Sequence, residues 1–418
     1  MNTNSKVMNR WLVVIGAIII QLCLGAIYAW SVFTPQLKEA GWTAAQTQAV
    51  FAAGLAFFAI VMVIAGRLMP KIGPRVLAMA GGVVLGIGYL LAGLFGGTNF
   101  WAIFIFIGVI GGSGIGLAYV VPIAVGMRWF PDKKGLITGL AVAGFGFGAM
   151  LWVKLAGTWG NLIADLGLNA TFTIYGIVFF ISVVIGGIWM VFPPEGWKPE
   201  GWTPPAPAQG SAASGTSDFT SGEMLKTPQF YMILITFAFG ASAGLMSIGL
   251  MKLFPIQALT AAGIANASAV AGTAMAVFFS LANGIGRIAW GAMSDKLGRK
   301  TSIVIMMGTQ GIIVILFQWM AGTPALLYLG ATLIGFNFGG NFALFPTMTA
   351  DTFGTKFIGQ NYGWVFLAYG IGGIFGPILG GRLGDMGNFP LAFTICGVLC
   401  LLAAILIYLV KPPQIKTA

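Results

Sequence analysis

The sequence predicts an all-α integral membrane protein with twelve transmembrane helices in two six-helix bundles. Three observations carry this prediction. The 418 residues are 58% hydrophobic and only 7% charged, with a mean hydropathy of +0.93, whereas a soluble domain is about one quarter charged. Apolar runs of roughly 20 residues, the length that crosses a hydrocarbon core about 30 Å thick, recur along the chain. One long polar stretch near the centre divides these runs, and short sequences echo each other on its two sides.

The first run, 11–35, follows MNTNSKVMNR and outlasts the apolar part of a signal peptide, so it reads as a span kept in the mature protein. Further spans are expected at 45–68, 75–97, 100–127, 135–163 and 170–193, then at 228–252, 264–293, 301–321, 325–348, 358–382 and 389–410. Between the two sets lies 193–226, rich in proline, glycine and serine and containing PPEGWKPEGWTPPAPAQGSAASGTSDF. It reads as a cytoplasmic linker joining an N-terminal bundle (1–192) to a C-terminal bundle (227–418). GRLMPKIGPR at 66–75 recurs as GAMSDKLGRK at 291–300, and FPDKKG at 130–135 as FGTKFIG at 353–359. Related halves with a site between them at mid-membrane are the plan of a secondary carrier.

The 21 basic residues against 10 acidic ones fit membrane topology and require no nucleic acid. Arg10, Arg67, Lys71, Arg75, Arg128, Lys133, Lys134, Lys296, Arg299, Lys300, Lys356 and Lys411 all fall on one side. The positive-inside rule makes that side cytoplasmic, with both termini there and the protein in the cell's inner (plasma) membrane. Cys23, Cys396 and Cys400 lie in apolar runs and read as packing. The chain has no histidine, which removes the commonest general base and metal ligand. No cofactor, metal or enzymatic site is expected; the expected partners are lipid, a small-molecule substrate and a proton, and the chain is expected to be a monomer.

Within this apolar chain, Arg287 interrupts a span, about 12 Å along the helix from Asp295 at 1.5 Å per residue. A charge at the bilayer centre costs on the order of 2.5–3.5 kcal/mol even on the mildest scale. A guanidinium stays protonated and its planar fork matches a carboxylate, so a carboxylate substrate would compensate the cost. Asn283, four residues earlier, shares that face and can meet the ligand or orient the guanidinium. All ten acidic residues fall in loops or near span ends, leaving none to pair with Arg287 at its depth. Tyr28, Tyr119 and Tyr369 are placed inside their spans and each offers an apolar wall with one hydroxyl. The glycine runs at 144–148 and 370–381 read as sliding and bending surfaces.

Gly291, Asp295, Gly298, Arg299 and Lys300 follow G-x-x-x-D-x-x-G-R-K where the eighth span meets the ninth. Here the sequence resembles the major facilitator superfamily, which implies a cytoplasmic charge latch through Asp295 and Arg299. The first copy keeps Gly66, Gly73 and Arg75 but has Pro70 in place of the acid. GAIYAWSVF at 25–33, RWFPDKKGLITGLAVAGFGFG at 128–148, SGEMLKTPQFY at 221–231 and NYGWVFLAYGIGGIFG at 361–376 resemble the oxalate/formate antiporter family and, beyond it, the monocarboxylate transporters, lactate carriers included.

That resemblance implies a carboxylate carrier whose helix-8 arginine is Arg287. Exchangers of oxalate in that family have a lysine where this chain has Tyr369, and more polar aromatics where it has Phe145, Phe342 and Phe366. One cation in an apolar cavity suits a monocarboxylate of the lactate or pyruvate class, moved by alternating access with proton symport. The alternative is a carboxylate exchanger of the oxalate/formate type. Monocarboxylate transporters have an aspartate where this chain has Asn283, so their proton route is not carried over.

Overall fold

A computed structural model describes residues 8–157, 159–203, 218–250, 253–411 and 413. Both chain ends and residues 204–217 of the expected linker lie outside the described residues. Among the described residues the chain is helical throughout, and eleven helices are long and apolar enough to cross a membrane.

The long helices are α1 (Trp11–Leu24, continued by a 3-10 turn Gly25–Val32), α2 (Ala44–Ile72), α3 (Pro74–Leu91), α4 (Gly112–Trp129), α5 (Lys134–Ala156) and α6 (Leu162–Gly187). They continue as α7 (Pro228–Leu250), α8 (Ser280–Leu297), α9 (Arg299–Met320), α10 (Pro324–Phe353), α11 (Ile358–Asp385) and α12 (Phe389–Leu409). Short helical segments at Phe100–Gly111 and Ala267–Phe279 lengthen α4 and α8 at their N-terminal ends.

Eleven of these match eleven expected spans in position. The expected span 325–348 corresponds to α10, a 30-residue helix outside those eleven. Its GFNFGGNF run places Asn337 and Asn341 among small residues and lowers its hydropathy. Two boundaries differ most from expectation. The fifth helix stops at Ala156 rather than near 163, because Gly157 and the left-handed Asn161 turn the chain, and α6 therefore starts eight residues earlier than expected. A second break at Gly167 (φ 80°) falls inside α6.

Local chemistry explains the other ends. Thr43 accepts from the Gln46 amide while the Gln46 side chain accepts from the Thr43 amide, a reciprocal cap that starts α2. Proline opens α3 and α10, where its missing N–H costs no helical bond. The turns α2–α3 and α8–α9 each pass through one glycine, Gly73 at φ 82° and Gly298 at φ 84°, a region closed to most L side chains. The two copies of the repeated motif therefore turn through the same glycine conformation, with ψ 154° at Gly73 and 150° at Gly298.

The ends Ile72/Pro74, Trp129/Lys134, Leu297/Arg299, Phe353/Ile358 and Leu409 gather on one membrane face. Contacts among them show this: Arg10 pairs with Asp132 at 2.8 Å, Arg128 Nη2 donates to the Lys356 carbonyl at 2.5 Å, and Lys300 Nζ donates to the Val410 carbonyl at 3.0 Å. This is called the basic face. Two helix pairs carry most of the contact between the sequence halves, α5 with α8 and α2 with α11, and α5 with α10 and α4 with α11 add to it. The glycine runs bring helices together within each half, where a Cβ on Gly148 would stand 2.2 Å from the Leu22 carbonyl of α1 and one on Gly376 2.3 Å from the Ser242 carbonyl of α7, and also between halves, where one on Gly146 would stand 3.2 Å from Gly284 Cα of α8.

Candidate functional site

Arg287 has no exposed surface. It lies ten residues before the basic-face end of α8, as Tyr119 does on α4, and Tyr369 lies eleven residues into α11. At 1.5 Å per residue all three stand about 15 Å from that face. These three sequence-predicted residues thus come to one level, from both halves of the chain.

The guanidinium is held by neutral groups. Nε donates to Asn283 Oδ1 at 3.1 Å, and Nη1 crosses to α5 and donates to the Val142 carbonyl at 2.9 Å. The Phe342 ring centroid lies 4.1 Å and that of Phe145 5.6 Å from Cζ, both within the range of a cation–π contact. Nη2 has no hydrogen-bond partner, and no acid pairs with Arg287, among the described residues.

The effective penalty for burying an ion is several kcal/mol. Hydrogen bonds to a charged group return about 1.5–3 kcal/mol each, and a desolvated cation–π contact about 2. The arginine is therefore tolerable where it stands, with Nη2 left without a hydrogen-bond partner among the described residues. Nη2 together with the second N–H of Nη1 is the pair of donors that a carboxylate would take.

Around it the walls are aromatic. Tyr119 packs edge-on to Phe58 (4.9 Å) and Phe145 (5.4 Å), and Tyr28 edge-on to Phe145 (5.1 Å). Tyr369 meets Phe342 at 5.4 Å and Phe366 at 5.1 Å. The Tyr28 and Tyr369 hydroxyls hydrogen-bond to each other, joining the two halves. The Tyr119 hydroxyl is buried without a hydrogen bond of ordinary geometry among the described residues, yet it and the Tyr28 hydroxyl both approach the Arg287 guanidinium. The enclosure thus offers one cation, the Asn283 amide and the hydroxyls of Tyr28, Tyr119 and Tyr369, with the buried Tyr362 hydroxyl close by and hydrocarbon around them, which suits a small anion with an apolar end.

Sequence reasoning missed Phe58, Gln21 and Val142. Phe58 sits in an unbroken apolar run. Gln21 is fully buried and donates from Nε2 to the Tyr119 carbonyl at 3.2 Å; a buried amide in the first span was the available signal. Val142 acts through its backbone, which carries no sequence signal.

Asp295 and Arg299 lie apart from this enclosure, at the basic face. Asp295 accepts from the backbone amides of Gly135 and Leu136, both at 2.9 Å, and from Arg299 Nη2 at 2.6 Å. Arg299 Nε continues to Asp351 at 3.0 Å, and Asp351 pairs with Lys134 at 3.1 Å. Beneath this network the backbones touch: a Cβ on Gly291 would stand 2.2 Å from the Gly135 carbonyl.

The other half repeats the contact, with a Cβ on Gly66 falling 2.2 Å from the Gly359 carbonyl. Where the acid would stand there is Pro70, and beside it a cavity of about 310 Å³ lined by Pro70, Arg128, Lys356, Gly359 and Gln360. Among the described residues no group of three or more acidic, cysteine or histidine side chains is placed to hold a metal ion.

Comparison with known proteins agrees with this architecture. A family model described as Major Facilitator Superfamily matches residues 11–278 and 241–418. YhjX, an uncharacterized MFS-type transporter of Escherichia coli K12, is 30% identical over 370 residues, covering 87% of this chain and 86% of its own. The oxalate:formate antiporter of Oxalobacter formigenes is 27% identical over 407 residues, covering 97% and 92%. Among solved structures, the transporter FucP in its outward conformation superposes with a TM-score of 0.69 at 14% identity, covering 95% of this chain and 97% of that one, a likeness of fold. This chain belongs to the major facilitator superfamily and is a multi-pass membrane transporter rather than an enzyme.

Proposed function

We propose that the protein is a secondary active transporter of small monocarboxylates of the lactate or pyruvate class, working by alternating access with proton symport. One observation carries this reading: a fully buried arginine whose Nη2 has no hydrogen-bond partner and which has no acidic partner among the described residues. Arg287 binds the carboxylate, Asn283 holds the guanidinium plane, and Tyr28, Tyr119 and Tyr369 line the hydrocarbon end. Relatives support the substrate class, since one is an oxalate:formate antiporter and another, 25% identical over 300 residues, is apicoplast pyruvate carrier 1 of Toxoplasma gondii. A single fixed cation balances a monoanion rather than oxalate.

In this reading α10 is the twelfth span, and 1–192 and 227–418 are six-helix halves joined by a linker at 193–226. The basic face is cytoplasmic, the membrane is the inner (plasma) membrane, and the unit is a monomer. With no histidine in the chain and no carboxyl on Arg287 among the described residues, the symported proton is carried either on the substrate's own carboxylate or on a group near a gate, such as Lys154 or Asp165. Asp295 and Arg299 gate the cytoplasmic side.

Uptake of labelled lactate, pyruvate, formate and oxalate by vesicles holding the parent or Arg287→Ala tests the site. Parent uptake of monocarboxylates that the substitution abolishes is expected, and intact uptake in the variant would overturn the assignment. Counterflow with and without a pH gradient separates symport from exchange.

A further inference from the structure

We infer that Phe342 is a positioning residue for the return of the unloaded carrier, because its ring, with the Val142 carbonyl, supports the Arg287 charge whenever no carboxylate does. The inference rests on Arg287 being the carboxylate site and deepens that reading.

Among the described residues, every partner of Arg287 is uncharged. Asn283 belongs to its own helix, Val142 to α5 in the other half, and Phe342 to α10, with its centroid 4.1 Å from Cζ. A protein carboxylate at this position would compete with the substrate for the guanidinium. An amide oxygen, a backbone carbonyl and a phenyl face do not, because a carboxylate adds a full negative charge to what they supply. When that carboxylate leaves, the same neutral groups remain, so the cation is never bare in the membrane interior. Closure around Arg287 is then open to the unloaded protein as well as the loaded one, and a carrier that can return unloaded performs net transport.

The ring matters most on the unloaded leg. With substrate bound, it faces a neutral ion pair and contributes only packing. Its other contacts, with Phe338 at 5.3 Å and Tyr369 at 5.4 Å, are present on both legs, so lost packing alone would slow both alike. Phe145, at 5.6 Å from Cζ, should show the same selectivity more weakly.

The test uses the full chain in proteoliposomes. Net lactate uptake into vesicles without internal substrate is compared with counterflow into vesicles preloaded with lactate. Phe342→Leu should lower the ratio of net uptake to exchange by about tenfold, and Phe342→Tyr, which keeps the ring face, should preserve it. A parallel fall of both fluxes in Phe342→Leu, or a parent that exchanges but shows no net uptake, would overturn the inference and leave the carboxylate site standing.

A second measurement needs no substrate. Spin labels at Glu39→Cys and Met386→Cys, both exposed and on opposite halves beyond the Tyr28–Tyr369 contact, report closure of that face in lipid without added carboxylate. Phe342→Leu should shift the distances to longer values. An unchanged distribution would overturn the inference whatever the substrate is, whereas a parent that moves no monocarboxylate would overturn only the substrate reading.

Discussion

Asp295 caps α5 across the boundary between the halves, with Oδ1 2.9 Å from the Gly135 amide and Oδ2 2.9 Å from that of Leu136. A carboxylate at a helix N-terminus gains from both the unpaired amides and the helix dipole, up to about 2 kcal/mol where partly buried. The bond exists only while the basic face is closed. Asp295→Asn keeps the shape but loses the charge and the Arg299 ion pair, so the closed population should fall on the order of tenfold. Labelling of a cysteine placed at Leu136 should accelerate accordingly, with the melting temperature nearly unchanged. Unaltered labelling would remove the latch role.

Backbone contact under the latch gives a steric prediction. Gly291→Ala would drive a methyl to 2.2 Å from the Gly135 carbonyl, and Gly66→Ala one to 2.2 Å from that of Gly359. Neither acceptor is the end of a flexible side chain, so closure itself must give way. Both variants should lose transport by more than about tenfold, since even 1.4 kcal/mol against closure has that effect. Gly308→Ala is the control, because nothing lies within 4 Å of its added carbon. Equal rates in all three would show that the close approach is not used in the cycle.

Only one of the two motif copies has an acid, and this asymmetry can be reversed. Gly359 and Gln360 occupy in α11 the place of Gly135 and Leu136 in α5, and Pro70 stands where Asp295 would. Pro70→Asp should supply the second cap, with Arg128 and Lys356 beside it as counter-charges. The expected result is tighter closure of the basic face and turnover slowed about five- to thirtyfold. Pro70→Asn, which also removes the ring but brings no charge, should turn over near the parental rate. If the two variants behave alike, the effect comes from the proline and not from the missing latch.

The span pattern was readable because a bilayer demands some 20 apolar residues at a time, and the chain supplies them with punctuation at Gly73, Gly298 and Pro324. Arg287 was readable for the same reason, since a charge stands out against hydrocarbon. Phe58 was not, because a phenylalanine packed on the rings of the site and one facing lipid look alike in sequence. The Val142 carbonyl was invisible in principle, as every residue has one. Asp351 and Lys134 were hidden differently: both read as loop charges, and only the fold brings them to Arg299.

Asn283 offers the sharpest test of how the proton travels. Its Oδ1 accepts from Arg287 Nε at 3.1 Å, so Asn283→Asp would put a carboxylate on the guanidinium with no change in size. That internal partner should compete with the substrate at neutral pH and weaken binding by at least about tenfold, the order expected for a charged hydrogen bond. Protonating the new carboxyl cancels its charge and frees the arginine, so binding should strengthen as pH falls and weaken as it rises. In the parent, an amide at this position cannot titrate, and exchange at saturating lactate should vary little between pH 6 and 8. Measuring lactate affinity against pH in both proteins decides the matter: a variant profile as flat as the parent's would mean that Asn283 and Arg287 do not act as one unit, and a steep parental exchange profile would locate a titrating group elsewhere in the protein.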